Sequence, residues 1–114
     1  MINNKNKDVI CAAPWAHLYV DTLGLVRPCS TSTEIYGDTH TTTIKEAWNS
    51  LATQEFRKNL LDGVEQEGCK FCHQQEKHTG DSLRTSLNSM YGHLISDNIT
   101  PEMAVKSLHP GWSN

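Results

Sequence analysis

The chain has 114 residues, an apolar fraction of 37% and a formal net charge of −3. This length fits one domain, and the apolar fraction predicts only a modest core. The 10 Lys and Arg are outnumbered by 13 Asp and Glu and form no dense basic run, so no phosphate-neutralising nucleic-acid surface is expected. The polar N-terminus does not resemble a signal peptide, and no window approaches the ~20 apolar residues of a membrane helix. We therefore expect a cytoplasmic protein that binds neither nucleic acid nor membrane.

The first predicted regular element is a β-hairpin. Residues 1–9 are polar and predict a flexible lead before it. The run from Trp15 to Val20 is rich in aromatic and β-branched residues, as strands are. Residues 21–27 combine turn chemistry with a second extended pattern, so this strand should return beside the first. Residues 30–42 are too polar and turn-prone to predict a regular element.

Two short helices are predicted next. Thr43 and Glu46 have the spacing of a capping box, which marks the start of the first helix. A second helix is expected after Thr53, with apolar residues on one face. It should end at Asp62–Gly63, because glycine suits the left-handed position that follows a helix.

The C-terminal half predicts one longer helix from about Lys70 to Ile95. Its apolar stripe consists of Leu83, Leu87, Met90, Tyr91 and Leu94. Gly80 and Gly92 are the two positions at which this helix could break. A short helix and a tail are expected over residues 96–114. The predicted fold class is therefore α+β: a small metal-stapled domain over residues 10–95, with an N-terminal β-hairpin followed by helices.

The sequence contains four cysteines, Cys11, Cys29, Cys69 and Cys72, and these are its most informative residues. The first two lie at the outer ends of the predicted hairpin, whose closure would bring them together. The other two form a C-x-x-C pair directly before a predicted helix. Four thiolates make a complete tetrahedral sulfur site, which suits a [4Fe-4S] cluster or a structural zinc ion. In a reducing compartment this interpretation is preferred to two disulfides.

Spacing favours the cluster over zinc without excluding zinc. Four-cysteine zinc sites usually offer two C-x-x-C pairs, each gripping the ion with a tight turn. Here only Cys69 and Cys72 form such a pair. A cluster is larger than one ion and accepts ligands from more widely separated points.

Several other polar and aromatic residues have ordinary structural interpretations. His73 and His78 could be stray zinc ligands, but their polar surroundings predict exposed helix positions. His17 is expected to be a packed or edge histidine. Trp15 and Trp48 are predicted core residues that shield the metal site from solvent.

The residues from Cys11 to Cys29 read C-x-x-P-W-x-H-L-x-V-x-x-x-G-x-V-x-P-C. This pattern resembles the opening of the auxiliary-cluster module of radical SAM enzymes, which is called SPASM with two clusters and twitch with one. The module's signature, C-x(9–15)-G-x4-C, is met by Cys11, Gly24 and Cys29. Further segments similar to the same family are residues 44–50, 56–63, 69–76 and 82–88.

The resemblance implies a [4Fe-4S] cluster held by the four cysteines. It is to the single-cluster form, because no cysteine follows Cys72. Glu76 and Arg84 match family positions, and a role at the surface or beside the ligands is expected for them rather than catalysis. The family's S-adenosylmethionine site, C-x3-C-x2-C, does not occur in this sequence. A cluster closed by four thiolates leaves no iron position open, so we expect no cleavage of S-adenosylmethionine by this chain itself.

The function implied by the resemblance is that of an auxiliary electron-transfer or structural module. Its expected partner is a radical SAM catalytic domain or chain, in cis or in trans. Two alternatives stay open at this point. One is a structural zinc domain used for interaction, and the other is a non-functional remnant of a longer enzyme.

Overall fold

The computed structural model of the chain describes residues 3–96 and 105. Within them an antiparallel sheet near the N-terminus is followed by helices, so the predicted α+β class is confirmed. The elements are α1 (Ala13–Ala16), β1 (Tyr19–Val20), β2 (Leu25–Arg27), β3 (Gly37–Asp38), α2 (Ile44–Trp48), α3 (Leu51–Leu61), a 3-10 turn (Glu67–Cys69), α4 (Lys70–Thr79) and α5 (Leu83–Ser96). Apart from Ser96 and Val105, the predicted C-terminal helix and tail lie outside the described residues.

The sheet has three strands in the order β1-β2-β3, one more than predicted. Tyr19 pairs with Arg27 across β1 and β2, and Val26 pairs with Gly37 across β2 and β3. The sequence predicted no regular element in residues 30–42, and this prediction is wrong at β3. The Tyr36 N–H donates to the Val26 carbonyl at 2.7 Å, so pairing with β2 extends the sheet where the local sequence carries no strand pattern.

The first strand is shorter than predicted. Trp15 lies in α1, which has Pro14 in its first turn. Proline favours that position because its fixed φ suits a helix and its missing N–H would be unpaired there. The predicted strand from Trp15 onward is thus wrong at its beginning, and only Tyr19–Val20 pair with β2.

The two short helices follow their capping signals. Thr43 and Glu46 form both hydrogen bonds of the predicted capping box at the start of α2. The next helix begins slightly earlier than predicted, because the Ser50 side chain accepts the Thr53 N–H and caps α3. It ends where expected, and Gly63 has a φ of 77°.

The predicted long helix is broken at Gly80, one of its two expected weak points. Gly80 has a φ of 82° and ends α4, whereas Gly92 lies inside α5 without breaking it. The apolar stripe is narrower than predicted. Leu87 is buried, but Met90 and Tyr91 are 56% and 38% exposed.

One hydrophobic cluster joins the N-terminal segment to the sheet and the helices. Helix α1 packs against both α3 and α5, so the segment next to Cys11 lies between the two halves of the chain. The buried members of this cluster are Ile10, Cys11, Ala12, Ala13, Trp15, Val26, Tyr36, Ala47, Phe56, Leu60, Leu87 and Ile95.

The N-terminal lead, which is described from residue 3, contacts the end of α3 through Lys5 and Asn6. Residues 4–9 form turns, and Asn6 is 1% exposed and donates to the Leu61 carbonyl at 2.8 Å. The Lys5 carbonyl faces Gly63 so closely that a β-carbon there would collide with it. Flexibility of residues 1–9 stays a prediction, but a contact surface for them is present.

We predict that Gly63→Ala destabilises the domain more than Gly80→Ala does. Both glycines have positive φ, where an L-residue costs about 1–2 kcal/mol, but a β-carbon at Gly80 would meet nothing within 4 Å. The Gly80 variant therefore measures the backbone strain alone. Urea unfolding of the two variants checks this, and equal losses would show that Lys5 does not pack against Gly63.

Candidate metal centre

All four cysteine thiols line one pocket. Cys11 precedes α1, Cys29 follows β2, and Cys69 and Cys72 lie at the end of the 3-10 turn and in the first turn of α4. None of them forms a disulfide. Three are buried and Cys69 is half-buried. The structure thus brings the four predicted site residues together, and their role as metal ligands stays a prediction.

The remaining wall of the pocket contains both apolar and polar residues. The open space in and around the pocket is about 360 Å³. Its other lining residues are Ala13, Pro28, Thr31, Ser32, Phe56, Gly68, Leu83 and Arg84. Trp15 and Trp48 are buried in the core, but neither lines the pocket. The two tryptophans were predicted to shield the site from solvent, but the large apolar side chains that line the pocket are those of Phe56 and Leu83.

Two hydrogen-bonding groups contact the sulfur atoms directly. The Ala13 N–H donates to Cys11 Sγ at 3.5 Å. The Thr31 hydroxyl lies 3.4 Å from Cys29 Sγ and 3.7 Å from Cys72 Sγ. Thr31 therefore bridges a cysteine of the hairpin and a cysteine of the C-x-x-C pair.

A close backbone contact brings the C-x-x-C segment to the loop after Cys29. The Thr33 N–H donates to the Gly68 carbonyl at 3.3 Å. A β-carbon at Gly68 would lie 3.0 Å from the Glu34 nitrogen and 3.1 Å from the Ser32 hydroxyl. Glycine before Cys69 is thus needed because the two backbones nearly touch.

A buried ion pair anchors the segment that carries Cys11. Arg84 donates through two nitrogens to the two carboxylate oxygens of Glu76, and through a third contact to the Ile10 carbonyl at 2.9 Å. The Ser82 hydroxyl donates to the same carboxylate at 2.8 Å. This network ties α4, α5 and the residue before Cys11 together. Of the two roles expected for Glu76 and Arg84, at the surface or beside the ligands, these contacts are of the second kind.

Asn88 fixes the same segment from α5. Its amide nitrogen donates to the Ile10 carbonyl at 2.9 Å, and its amide oxygen accepts the Ala12 N–H at 2.7 Å. The backbone is therefore held on both sides of Cys11. Such ties set the position of the sulfur before any metal arrives.

A second buried arginine, Arg57 of α3, holds the chain just beyond Cys11. Its guanidinium donates to the Pro14 carbonyl at 2.8 Å and to the Trp48 carbonyl at 2.7 Å, and it lies over the Trp48 ring at 4.9 Å. Burial lowers the pKa of Arg57 to about 10, so the group stays charged at neutral pH. Arg57 and Arg84 together clamp the backbone on either side of Cys11.

Burial favours the protonated form of two of the thiols, Cys11 and Cys69. It raises the pKa of Cys11 to about 12, against a smaller lowering by the Ala13 N–H. Burial and the neighbouring cysteines raise the pKa of Cys69 to about 12 as well. Metal binding must therefore displace protons from these thiols. A metal centre that carries several positive charges would favour the loss of these protons, because it attracts the thiolates.

None of the histidines among the described residues lines this pocket. His17 is half-buried and donates from Nδ1 to the Pro28 carbonyl at 3.0 Å, as expected for a packed histidine. His78 is exposed as predicted, whereas His73 is half-buried and its Nε2 is enclosed without a hydrogen-bond partner. The prediction of an exposed His73 is therefore wrong. Within residues 3–96 and 105, no three His, Cys, Asp or Glu side chains are arranged as ligands of a single ion.

Three functional residues were missed by the sequence interpretation. Thr31 lies in the polar stretch that was assigned no regular element, and nothing local sets it apart. Asn88 is the last residue of a segment that resembles the family. Its hydrogen bonds, however, are to residues more than 70 positions away in the sequence. Arg57 occupies a position in a charged helical run that reads as solvent-exposed.

The structure therefore defines a small α+β domain in which four free thiols from distant segments line one pocket. The sequence profile of the SPASM iron-sulfur cluster-binding domain matches residues 11–89, which include all four cysteines. The match covers well over half of the chain, and the chain belongs to the SPASM iron-sulfur cluster-binding domain family. This confirms the resemblance drawn from the sequence. No curated protein and no solved structure gives a significant match.

The part of the chain that the structure describes contains no helix of sufficient length and apolarity to cross a membrane.

Proposed function

We propose that this chain binds one [4Fe-4S] cluster through Cys11, Cys29, Cys69 and Cys72. The observation that carries the proposal is the single pocket lined by all four thiols. Membership of the SPASM family gives the iron–sulfur chemistry. The sequence contains four cysteines, which is the full ligand set of one such cluster.

The arrangement of the thiols supports a cluster over a single zinc ion. Zinc needs four sulfurs at about 2.3 Å from one point. Here the thiols stand around a pocket whose wall also includes Thr31, Phe56 and Leu83. The four ligands come from three separate segments of the chain, a set that suits a larger inorganic centre, and zinc is kept as an outcome of the experiment below.

Closed coordination determines what such a centre can do. With one thiolate on each iron, no coordination position is open to S-adenosylmethionine, so the chain by itself does not cleave it. When bound, the cluster supplies one-electron exchange. Arg84 and Asn88 hold Cys11 in place, and the apolar wall limits the access of water. We infer an auxiliary electron-transfer or structural domain that works beside a radical SAM catalytic domain or chain, in cis or in trans.

Metal and sulfide analysis of protein purified without oxygen tests this function. We expect about four iron and four sulfide per chain, with a broad absorption near ~400 nm that dithionite bleaches. No 5′-deoxyadenosine should form when S-adenosylmethionine and dithionite are added. A colourless protein with one zinc per chain would reject the cluster, and formation of 5′-deoxyadenosine would reject closed coordination.

A further inference from the structure

The Thr31 hydroxyl occupies a particular position in the pocket. It lies 3.4 Å from Cys29 Sγ and 3.7 Å from Cys72 Sγ, and both distances are within the range of hydrogen bonds to sulfur. Thr31 itself lines the pocket. It is the second residue after Cys29, in the loop that connects β2 to β3.

The direction of this hydrogen bond follows from the chemistry of the bound state. A thiolate that ligates iron has no proton and can only accept, whereas a threonine hydroxyl has one proton to donate. The shorter distance makes Cys29 the main acceptor, and Cys72 shares the same proton. A donor to a ligand sulfur withdraws electron density and stabilises the more negative, reduced centre.

We propose that Thr31 is a positioning residue that donates to the Cys29 and Cys72 thiolates and thereby raises the reduction potential of the centre. This inference rests on the proposed function, since it requires the two thiolates to be cluster ligands. It goes beyond that function because it assigns the control of potential to one hydroxyl outside the ligand set.

The chain offers matched variants for the test. Thr31→Val removes the hydroxyl and keeps the branched shape, and Thr31→Ser keeps the hydroxyl and removes the methyl group. Thr33 lies in the same loop but is exposed, and both its backbone N–H and its hydroxyl lie against Gly68 rather than against a cysteine sulfur. Thr33→Val is therefore the control for a change of threonine to valine in this loop.

The experiment is a potentiometric titration of each full-length variant, loaded and held without oxygen, followed by absorption near ~400 nm. Iron and sulfide are measured first in every sample. We expect Thr31→Val to have a more negative midpoint potential than the unchanged protein, and Thr31→Ser and Thr33→Val to match the unchanged protein. An unshifted midpoint in a loaded Thr31→Val variant would overturn the inference.

Loss of the cluster also gives a clear result. If Thr31→Val fails to retain iron and sulfide while Thr31→Ser retains both, Thr31→Ala, which also lacks the hydroxyl, takes its place in the titration, and an unshifted midpoint in loaded Thr31→Ala overturns the inference. If Thr31→Ser fails as well, the methyl group and its packing matter instead, and the inference is overturned. Absence of iron and sulfide from the unchanged protein would overturn the proposed function together with the inference, which separates the two kinds of failure.

Discussion

Replacing Cys69 by alanine is expected to abolish metal binding and to unfold much of the domain. The four thiols come from segments before α1, after β2 and around the start of α4. A centre that joins them contributes folding free energy to a chain with a modest core. Removing one ligand leaves an open site next to the half-buried end of the 3-10 turn. Iron content should fall from about four per chain to less than one, and circular dichroism should show a large loss of helix.

Lys70→Ala is the matched control for this experiment. Lys70 is the next residue along the chain, and its side chain is 64% exposed. Its ion pair with Glu67 lies at the surface, where such pairs contribute little. This control should retain its iron and its helical signal. A Cys69→Ala protein with full metal content and near-native helicity would reject Cys69 as a ligand.

The second large effect is expected from Arg84→Ala. The guanidinium and the Glu76 carboxylate are 9% and 17% exposed, so this variant leaves a largely buried charge without its partner. Breaking a buried pair in this way costs about 3 kcal/mol or more. The Ile10 carbonyl also loses a donor, and the segment carrying Cys11 should loosen. We expect lower stability in urea and faster loss of iron to a chelator.

Glu76→Gln tests the same pair from its other side. Hydrogen bonds from Arg84 hold the pKa of Glu76 below its ordinary value of 4.5. A carboxyl whose pKa is lower in the folded state adds stability above its unfolded pKa and loses it as pH falls through the folded value. The stability difference between the unchanged protein and Glu76→Gln should therefore shrink below about pH 4.5.

Lys70→Ala again serves as the control. Equal stability of Arg84→Ala and Lys70→Ala at pH 7 would show that the buried pair does not hold the domain together.

The buried polar contacts explain how a lean sequence can order its site. Arg84 and Asn88 both bond the Ile10 carbonyl, and Arg57 bonds the Pro14 carbonyl on the other side of Cys11. These donors supply hydrogen bonds to backbone carbonyls in the interior, where water is not available to do so. The N-terminal segment is thus fixed by directional contacts from α3 and α5 as well as by its apolar side chains.

Local signals allowed several features to be predicted from the sequence. One is the capping box, in which Thr43 and Glu46 lie within one helical turn. Another is the end of α3 at Gly63, which likewise depends on residues within one turn. Backbone preferences act over the same short range. The break at Gly80 was anticipated as one of two options, and the structure places it there while α5 continues through Gly92. The composition and the family-like motifs led to the four cysteines.

By itself the sequence determined the α+β class, the helix ends with strong caps and the four thiols of the candidate site. The tertiary structure alone decided that Trp15 lies in a helix, that Gly37 joins the sheet, and that Thr31 meets two sulfurs. It also decided that Arg57 and Arg84 are buried and that both, together with Asn88, bond the backbone around Cys11. The physical reason is range: capping and turn formation depend on neighbours in sequence. A threonine between two sulfurs or an arginine on a distant carbonyl depends on how the whole chain packs.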